Sequence, residues 1–492
     1  MFELPACPAR FLTSMLGPSF QADYLVDYAA WWAGEGQEIS DAVDRAGTPW
    51  LRMFDQLGKR VDDLFLAPAY RQLLQVGYRA GVVWRAFEEA SLLPAYALGY
   101  VTAYHDPGLY CPYTVSLATA AVLDKYGDAG LKARFLPQLL RRDGTAWQGA
   151  TWMTEVGGGS DLGGAVTTLA RPWGDRWLLT GEKYFASNVG AELAVVAARP
   201  EGGPAGVRGL ALFLVPRQRE DGTLNYVVRR MKDKIGTRSV PTGEVELRGS
   251  EAYLLGKPEW GVYLILEVLN VSRVANAVGS VALVQRALVD AASFAARRWA
   301  FGKPIIQHPL LRRQAERRWQ QLRAAFALAW EAVDQLNEVW RQSPPYSDRY
   351  HLFRLLAHLA KYWTAELAVQ TARWAMEVHG GVGTLTEHRV ERWLREAMIL
   401  LIWEGTSHRQ ILDGVEVMER KGAHRLLLQH VAPFSVAEDR ERMLVRLEEF
   451  LALKPEEKEA AAEDMFRDLA LFIASSLATK YLAPGPRQVA DP

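Results

Sequence analysis

Hydrophobic residues follow a helical period towards both ends of the chain and a strand-like pattern in the middle. In residues 1–146, and again from residue 257 onward, apolar positions recur every three to four residues, which predicts amphipathic helices. Between residues 147 and 256 the apolar runs are short, which predicts strands. The positions that carry the helical period include Leu66, Tyr70, Leu73, Leu74, Tyr78, Leu117, Ala118, Ala121 and Val122, then Val274, Val278, Val281, Ala282, Leu367, Thr371, Trp374, Ala375 and Val378.

The middle segment predicts a β-domain that ends near Gly256. Its clearest apolar runs are residues 177–180, 193–196 and 210–215, and residues 172–175 form a Pro- and Gly-containing turn before the first of them. Short strands at this spacing are typical of a small barrel or sandwich.

Together the patterns predict an α+β multidomain fold, and a length of 492 residues suggests about three domains as a prior. The expected domains are an N-terminal helical domain (1–146), a middle β-barrel or β-sandwich domain (147–256), a C-terminal four-helix bundle (257–420) and an additional C-terminal helical segment (421–492).

Prolines indicate several of the helix boundaries. Residues 343–346 predict a break between two bundle helices, and the stretch 107–112 is expected to separate two N-terminal helices. Pro455 suits the first position of a helix that follows a helical run at 442–453. The residues after Pro484 predict a loose tail.

Composition and charge exclude several classes of protein. Lys+Arg and Asp+Glu are equal at 57 each, so nothing in the overall charge favours nucleic acid or membrane. Cys7 and Cys111 are too few to predict a disulfide framework or a metal cluster. The first residues lack the charged and apolar regions of a secretory signal, and no uncharged apolar stretch reaches about 20 residues. We therefore expect a cytoplasmic protein.

One pair of segments predicts a cofactor site on the β-domain. Residues 153–161 contain three consecutive glycines followed by Ser and Asp, and residues 181–188 follow a strand-like run and could return to the same face. Neither a Gly-x-Gly-x-x-Gly pattern nor a Walker loop occurs, which disfavours a Rossmann-type site. The hydroxyls of Thr154 and Ser187 would suit the edge of a flavin ring. The alternative for the glycines is a flexible turn.

A second pair of segments predicts a general base. Glu404 follows the apolar run 399–403 and precedes Gly405, and residues 379–383 form another glycine-rich stretch. Desolvation raises the pKa of a carboxyl group, so this environment would tune Glu404 towards neutral pH. The alternative is a surface glutamate beside a helix.

Over roughly residues 60 to 420 these segments resemble the acyl-CoA dehydrogenases. The resemblance implies FAD, with Thr154 and Ser187 bonding the flavin, and Ser160 near the thioester or pantetheine. The family usually has Trp in place of Phe185 and Thr in place of Ser187. The implied cofactor-binding residues are Met153, Thr154, Ser160, Phe185, Ala186, Ser187, Arg298, Phe301, His308, Glu377, Gly380, Gly381, Thr406 and His408.

Two of these groups imply an oligomer. The Arg298-x-x-Phe301-Gly unit resembles a family motif that reaches the flavin pyrophosphate across a subunit interface, where a guanidinium suits phosphate. His308 stands where relatives usually have Gln, and Glu377 replaces the Gln of the family's Gln-x-x-Gly-Gly. The active unit would be at least a dimer, and by family habit a homotetramer. The alternatives are a solvated Arg298 and, for His379, a satisfied histidine at a helix end.

The implied reaction is α,β-dehydrogenation of an acyl-CoA thioester. Glu404 would take the α-proton, and the β-hydrogen would pass as hydride to flavin N5. Ser160, Arg273 and Gly405 would contact substrate, and an electron-transfer flavoprotein would accept the electrons. Asn270 stands where the family normally has Asp, and Ser272 occupies a place where some branched-chain members carry the base.

Finer details resemble the alkylation-response branch of the family, which carries an extra C-terminal helical domain and is associated with binding of double-stranded DNA. This leaves two alternatives: a DNA-binding flavoprotein with weak or no dehydrogenase activity, and an acyl-CoA oxidase. Residues 421–492 hold ten Lys/Arg against twelve Asp/Glu, a net charge of −2, which disfavours DNA there. A basic stripe remains at Arg312, Arg313, Arg317 and Arg318, although a solvated helix face would look the same.

Overall fold

A computed structural model describes residues 5–20 and 22–482. Within that range the chain forms two compact units. One contains the described residues within 1–33, 103–107 and 273–482, and the other contains residues 34–102 and 108–272. These units group the residues differently from the four predicted domains, whose boundaries stay a prediction. The predicted tail after Pro484 lies outside the described residues.

The N-terminal part is mainly helical, as its apolar periodicity predicts. Its helices are α1 (Pro8–Leu16), α2 (Asp23–Trp31), α3 (Gln37–Ala46), α4 (Pro68–Ala80), α5 (Trp84–Glu88), α6 (Leu93–His105), α7 (Pro107–Tyr126) and α8 (Ala129–Leu139). Pro107 begins α7, but Pro112 lies inside that helix, so the break expected across 107–112 is shorter than predicted.

A two-stranded antiparallel hairpin, β1 (Trp50–Phe54) and β2 (Arg60–Phe65), interrupts the helices. The sequence pattern did not predict it. Neither strand has a clearly buried face, so the alternation of apolar and polar residues that normally reveals a strand is weak.

The β-domain is a closed barrel. Its elements are β3 (Gly149–Trp152), a short helix α9 (Leu162–Ala165), β4 (Leu169–Trp173), β5 (Arg176–Ser187), β6 (Leu193–Pro200), β7 (Ala211–Pro216), β8 (Val227–Met231) and β9 (Thr242–Leu254). The ring runs β6–β4–β5–β9–β7 and returns to β6, while β3 pairs with β6 and β8 with β9. Trp152, Val196, Phe213 and Val245 are buried in its core.

The C-terminal part returns to helices. Its elements are α10 (Gly261–Arg297), a minimal hairpin of β10 (Trp299–Ala300) and β11 (Lys303–Pro304), α11 (Pro309–Val339), α12 (Asp348–His379), α13 (Val390–Ile402), α14 (Ser407–Lys421), α15 (Ala423–His430), α16 (Ala437–Leu451) and α17 (Pro455–Leu482). The predicted break at 343–346 falls between α11 and α12, and Pro455 is the first residue of α17.

Helix α12 lies at the centre of this bundle and packs against α11, α13 and α14. The C-terminal helix α17 packs against α11, α12 and α14, so the extra segment is part of the same unit. By length and composition α10 could cross a membrane, but 89% of its most apolar window is buried in the protein, as in the core helix of a bundle.

Candidate active site

The two halves of the β-domain motif lie side by side. The backbone N–H of Tyr184 on β5 donates to the carbonyl oxygen of Thr154 across 3.0 Å. The indole N–H of Trp152, at the end of β3, donates to the carbonyl oxygen of Ser187 across 3.0 Å. These residues, which are about thirty positions apart in the sequence, therefore lie together at one edge of the barrel.

The charged residues of this motif hold the two halves together. Lys183 Nζ lies 2.6 Å from Glu155 Oε1, and both side chains are almost completely buried. Glu155 also accepts hydrogen bonds from the hydroxyls of Thr167 and Thr168 at 2.8 and 2.5 Å. A buried carboxylate with this many donors is satisfied, so Glu155 and Lys183 are structural residues of the motif.

The neighbouring residues leave polar and aromatic groups accessible. Met153 and Ala186 are buried, whereas the Phe185 side chain is 51% exposed, and Thr154 and Ser187 are partly exposed. The hydroxyls of Ser187 and Thr242 lie 3.3 Å apart. A Cβ atom on Gly159 would stand 2.5 Å from Thr154 Oγ1, so glycine is needed there to leave that hydroxyl in place. Ser160 is exposed on the same segment.

In the helical unit, Glu404 lies in a tight loop between α13 and α14. It has a φ of 59°, in the left-handed region that non-glycine residues rarely adopt, and Gly405 follows with a φ of 98°. Thr406 caps the N-terminus of α14, because its side chain accepts a hydrogen bond from the backbone N–H of Arg409. Backbone strain of this kind is found where the surrounding structure fixes a functional residue.

Buried side chains from two other helices hold the backbone at the end of α13, just before this loop. Asn276 on α10 donates to the carbonyl oxygen of Leu400 across 2.9 Å, and Lys361 on α12 donates to that of Leu401 across 2.8 Å. These donors satisfy carbonyls that the end of α13 leaves free.

The loop itself is held in the same way. The Glu404 carbonyl oxygen accepts from Gln410 Nε2 at 3.0 Å and from Arg273 Nε at 3.3 Å. Gln410 is held in turn by His358, whose Nδ1 lies 2.9 Å from Gln410 Oε1. The backbone of the glutamate is thus fixed, whereas its carboxyl group is left available for chemistry.

The electrostatics of the loop suit a base that works near neutral pH. Burial raises the pKa of Glu404 to about 7, although the cations of Arg273 and Lys361 oppose that rise. Burial lowers the pKa of Lys361 to about 7, and the charge of Glu404 opposes this change. The raised pKa expected from the apolar run before Glu404 is confirmed, but the surroundings also include two buried cations that the sequence pattern did not indicate.

The third group of predicted residues lies at the ends of α10 and α12. Arg298 and Phe301 belong to the exposed hairpin after α10, where Phe301 is 96% exposed, and His308 Nε2 lies 3.1 Å from the Ala300 carbonyl oxygen. The ring of His379 stacks on that of Phe294 with centroids 4.2 Å apart. This brings the glycines that follow α12 close to the end of α10.

Domain comparisons decide the family. The acyl-CoA dehydrogenase C-terminal domain matches residues 259–418, the acyl-CoA dehydrogenase middle domain matches residues 150–250, and the N-terminal domain of the adaptive response protein AidB matches residues 13–144. The chain belongs to the acyl-CoA dehydrogenase family. This family is FAD-dependent.

Comparison with individual proteins supports the same family assignment. Acyl-CoA dehydrogenase family member 11 of Caenorhabditis elegans is 31% identical over 415 residues, which cover 78% of this chain and 66% of that protein; the chain spans just under two thirds of its length. The AidB protein of Escherichia coli (strain K12) is 29% identical over 95% of this chain and 87% of its own. The crystal structure of Caenorhabditis elegans ACDH-11 with C11-CoA has a TM-score of 0.83 at 25% identity, covering 97% of this chain and 90% of that one.

The residues present fit the cofactor of an acyl-CoA dehydrogenase. An exposed aromatic ring at Phe185 stands beside the accessible hydroxyl-bearing residues Thr154 and Ser187. Cβ atoms built on Gly380 and Gly381 meet nothing within 4 Å, so the chain leaves open space where the family motif approaches a nucleotide. Glu377 and His408 are exposed. The individual cofactor and substrate roles stay predictions.

The structure also shows the surroundings of His379, Ser272 and Asn270, three positions that the sequence singled out. His379 is the last residue of α12, and its Nδ1 lies 2.8 Å from the Ala375 carbonyl oxygen, so the interpretation as a satisfied helix-end histidine is confirmed. Ser272 is buried and its hydroxyl bonds within its own helix to Val268 at 3.4 Å. Asn270 is buried on the same helix.

Sequence reasoning missed four residues around the Glu404 loop: Asn276, His358, Lys361 and Gln410. A signal for two of them was present. His358 and Lys361 are polar residues three positions apart in an otherwise apolar stretch of α12, which places both on one face of that helix. Buried polar residues in such a position need partners, and here the partners are Leu401 and Gln410, on either side of the loop that carries Glu404.

Proposed function

We propose that this protein catalyses FAD-dependent α,β-dehydrogenation of an acyl-CoA thioester, with Glu404 as the base. The observation that carries the proposal is the state of Glu404: a half-buried carboxyl group with a pKa of about 7, on a strained loop whose backbone is fixed by Asn276, Lys361, Arg273 and Gln410. Efficient bases have a pKa near the working pH, because they are then both ionised and basic enough.

Glu404 accepts the α-proton of the thioester on a carboxylate oxygen. The electron pair of the broken C–H bond becomes the second bond between Cα and Cβ. When bound, FAD supplies the acceptor for the β-hydrogen, which leaves with its electron pair as hydride, so the substrate loses two electrons and two hydrogens. Because an α-proton is a weak acid, the developing negative charge on the thioester oxygen needs donors, and the backbone amide of Glu404 is our candidate for one.

Each unit has residues suited to the cofactor. Thr154 and Ser187 offer hydroxyls and Phe185 an exposed ring for the flavin, and Ser160 lies on the same segment for the thioester or pantetheine. Arg298 is exposed and free to meet a phosphate of a cofactor held by another subunit. Arg273, whose carboxylate partner is Asp413 at 3.2 Å, and Gly405 would contact substrate.

We further propose a cytoplasmic homotetramer of fatty-acid metabolism that passes electrons to an electron-transfer flavoprotein. The hairpin and the helix that follows it support an oligomer, because Trp299, Phe301 and Leu310 are 65%, 96% and 73% exposed. Large apolar side chains exposed together are typical of a surface that a partner covers. Sedimentation of the protein with and without FAD would establish the assembly.

Anaerobic titration of the FAD-loaded protein tests the activity. Butyryl-CoA, octanoyl-CoA and C11-CoA would be added in turn, the last because the Caenorhabditis elegans relative binds it. We expect one or more of them to bleach the flavin absorbance, and Glu404→Gln to slow this reduction by at least about 100-fold while FAD stays bound. Glu459→Gln, on the exposed surface of α17, is a matched control that removes a carboxylate far from this network and should remain active.

The other outcomes separate the alternatives. No bleaching with FAD bound would contradict the dehydrogenase and favour the DNA-binding interpretation, which a salt-dependent gel shift with duplex DNA would then test. Rapid reoxidation of the bleached protein by oxygen would favour an oxidase. A Glu404→Gln variant as fast as the wild type would contradict the assignment of the base.

A further inference from the structure

Lys361 is a buried polar residue beside the Glu404 segment that takes no chemical part in the reaction described above. Its side chain is completely buried at the centre of the bundle, yet it belongs to a long helix whose neighbouring residues are mostly apolar. Burying an ammonium group is unfavourable unless it has partners. Its partners lie in the segment that carries the base, so its position is tied to the site.

The contact of Lys361 is with the backbone just before the catalytic loop. Its Nζ donates to the carbonyl oxygen of Leu401 across 2.8 Å, three residues before Glu404. The last carbonyls of a helix have no partner within the helix, so this bond and the adjacent one from Asn276 to Leu400 fix where α13 ends. The position at which the chain turns into the strained Glu404 conformation follows from that end point.

Lys361 also interacts electrostatically with the base. The cations that act on the Glu404 carboxyl are Arg273, from α10, and Lys361, from α12. Arg273 already forms an ion pair with the carboxylate of Asp413 at 3.2 Å, and Asp413 is also bonded to Arg409.

The charged groups that influence the pKa of Lys361 are Glu404, Arg273 and Glu366. Glu366 accepts a hydrogen bond from Ser407 at 2.8 Å. His358 and Arg354 complete the titratable and charged groups around this network.

We propose that Lys361 is a positioning residue for the dehydrogenation: it fixes the end of α13 from which the base projects, and it supplies the buried positive charge that favours the ionised form of Glu404. This rests on the proposed function for Glu404. Without the cation of Lys361, the Glu404 carboxylate would be as buried as before, but less positive charge would offset the cost of burying its negative charge. The proton would then be held more tightly, and the base would be ionised only at higher pH.

The test compares two variants that lose hydrogen bonds to consecutive carbonyls. Lys361→Met removes the donor to Leu401 and the charge, whereas Asn276→Ala removes the donor to Leu400 and no charge. The rate of flavin reduction would be measured by stopped flow from pH 5.5 to 9.5. The acid limb is the low-pH part of this profile, where the rate rises as Glu404 ionises. We expect this limb to lie about 1 pH unit higher in Lys361→Met than in wild type, which lowers the rate there about tenfold. The limb of Asn276→Ala should stay at the wild-type pH even if its rate falls.

A conservative variant and a direct titration complete the design. Lys361→Arg keeps a cation and should bring the acid limb back to the wild-type pH. Infrared difference spectra would follow the carboxyl band that Glu404→Gln abolishes, and this band should titrate at higher pH in Lys361→Met. Bound FAD and thermal unfolding would be measured for each variant to establish that it folds.

The outcomes are distinct. An unchanged carboxyl titration and acid limb in Lys361→Met, or an equal shift in Asn276→Ala, would overturn the role of Lys361. A Glu404→Gln variant with full activity would instead overturn the proposed base, while the infrared titration would still decide whether Lys361 controls the ionisation of Glu404.

Discussion

Gln410 donates its side-chain amide to the backbone carbonyl oxygen of Glu404, 3.0 Å away, and also lies 3.1 Å from that of Gly405. Gln410 is in the first turn of α14 and is held on its other side by His358 at 2.9 Å. The start of α14 and the loop that carries Glu404 are therefore one hydrogen-bonded unit. A displacement of the Gln410 side chain should be felt at the carboxyl group of Glu404.

Gly405→Ala should disturb this unit directly. A Cβ atom at residue 405 would stand 2.6 Å from Gln410 Nε2, at a φ of 98° that disfavours alanine. Because small displacements of a reacting group strongly affect rate, we expect flavin reduction to slow by about 10- to 100-fold while FAD remains bound. Stopped-flow reduction by the best acyl-CoA would measure the effect.

Gly422→Ala is the matched control, because Gly422 has a φ of 61° but nothing within 4 Å of an added Cβ. It should lower stability by about 1 kcal/mol through backbone strain and leave the reduction rate within about twofold of wild type. If both variants slowed the reaction equally, general destabilisation would explain the result and the specific contact with Gln410 would not.

The sequence predicts most of the fold because helices and strands have different apolar periods. The helices around Tyr70 and Trp374 and the strands around Leu179 and Val195 were all indicated by local spacing. A raised pKa of Glu404 was also predictable, since a carboxyl group next to an apolar run of sequence is expected to be buried.

The parts of the fold and of the site that the sequence did not predict depend on contacts between residues that are far apart in the sequence. Arg273 bonds Glu404 from 131 positions away and Lys361 bonds Leu401 from 40 positions away, so no local pattern could indicate those contacts. The structural pair of Glu155 and Lys183 is separated by 28 positions, and the closure of the barrel depends on pairing between β6 and β7 that short apolar runs do not specify.

The stability of the protein should depend on the ionisation of Glu404. Its folded-state pKa is raised to about 7 by burial, above that of an exposed glutamate. A raised pKa contributes stability that is fully present below the unfolded pKa and is lost as pH rises through the folded value. The unfolding temperature of Glu404→Gln should therefore rise relative to that of wild type as the pH increases from 5 to 8.

Differential scanning fluorimetry of FAD-loaded protein from pH 5 to 9 would show this divergence. The exposed Glu459 is a suitable control, and Glu459→Gln should follow the wild-type curve throughout. A constant difference between Glu404→Gln and wild type across the range would contradict the raised pKa.

Lys183→Met should be strongly destabilising. It leaves the buried carboxylate of Glu155 without its cation, and loss of one partner of a buried pair costs about 3–5 kcal/mol. Urea unfolding would measure the change. The double variant Glu155→Gln/Lys183→Met should recover part of the loss. The exposed pair of Arg171 and Glu201 provides a comparison, and Arg171→Met should change the unfolding midpoint little.

The C-terminal helix should depend on Glu331. This carboxylate on α11 is completely buried and accepts hydrogen bonds from His430 at 2.7 Å, Lys480 at 2.5 Å and Tyr481 at 3.0 Å. Burial alone would raise its pKa, but the bond from His430 and the charge of Lys480 outweigh this and lower the pKa to about 2. Glu331→Gln should lower stability at pH 7 by about 3 kcal/mol, because it removes the buried counter-charge of Lys480.

The pH dependence distinguishes this ionic contact from a packing effect. A lowered carboxyl pKa contributes stability that is present above the unfolded pKa and is lost as pH falls towards the folded value, so the difference between Glu331→Gln and wild type should shrink between about pH 5 and pH 3. Hydrogen exchange along α17 would locate the effect.

Glu448 is the matched comparison for Glu331. It also pairs with a histidine and a cation, His424 and Arg425, but it is 40% exposed. Water can replace its partners, so Glu448→Gln should leave both unfolding and exchange in α17 nearly unchanged, and an equal effect of the two variants would show that burial is not what gives Glu331 its role.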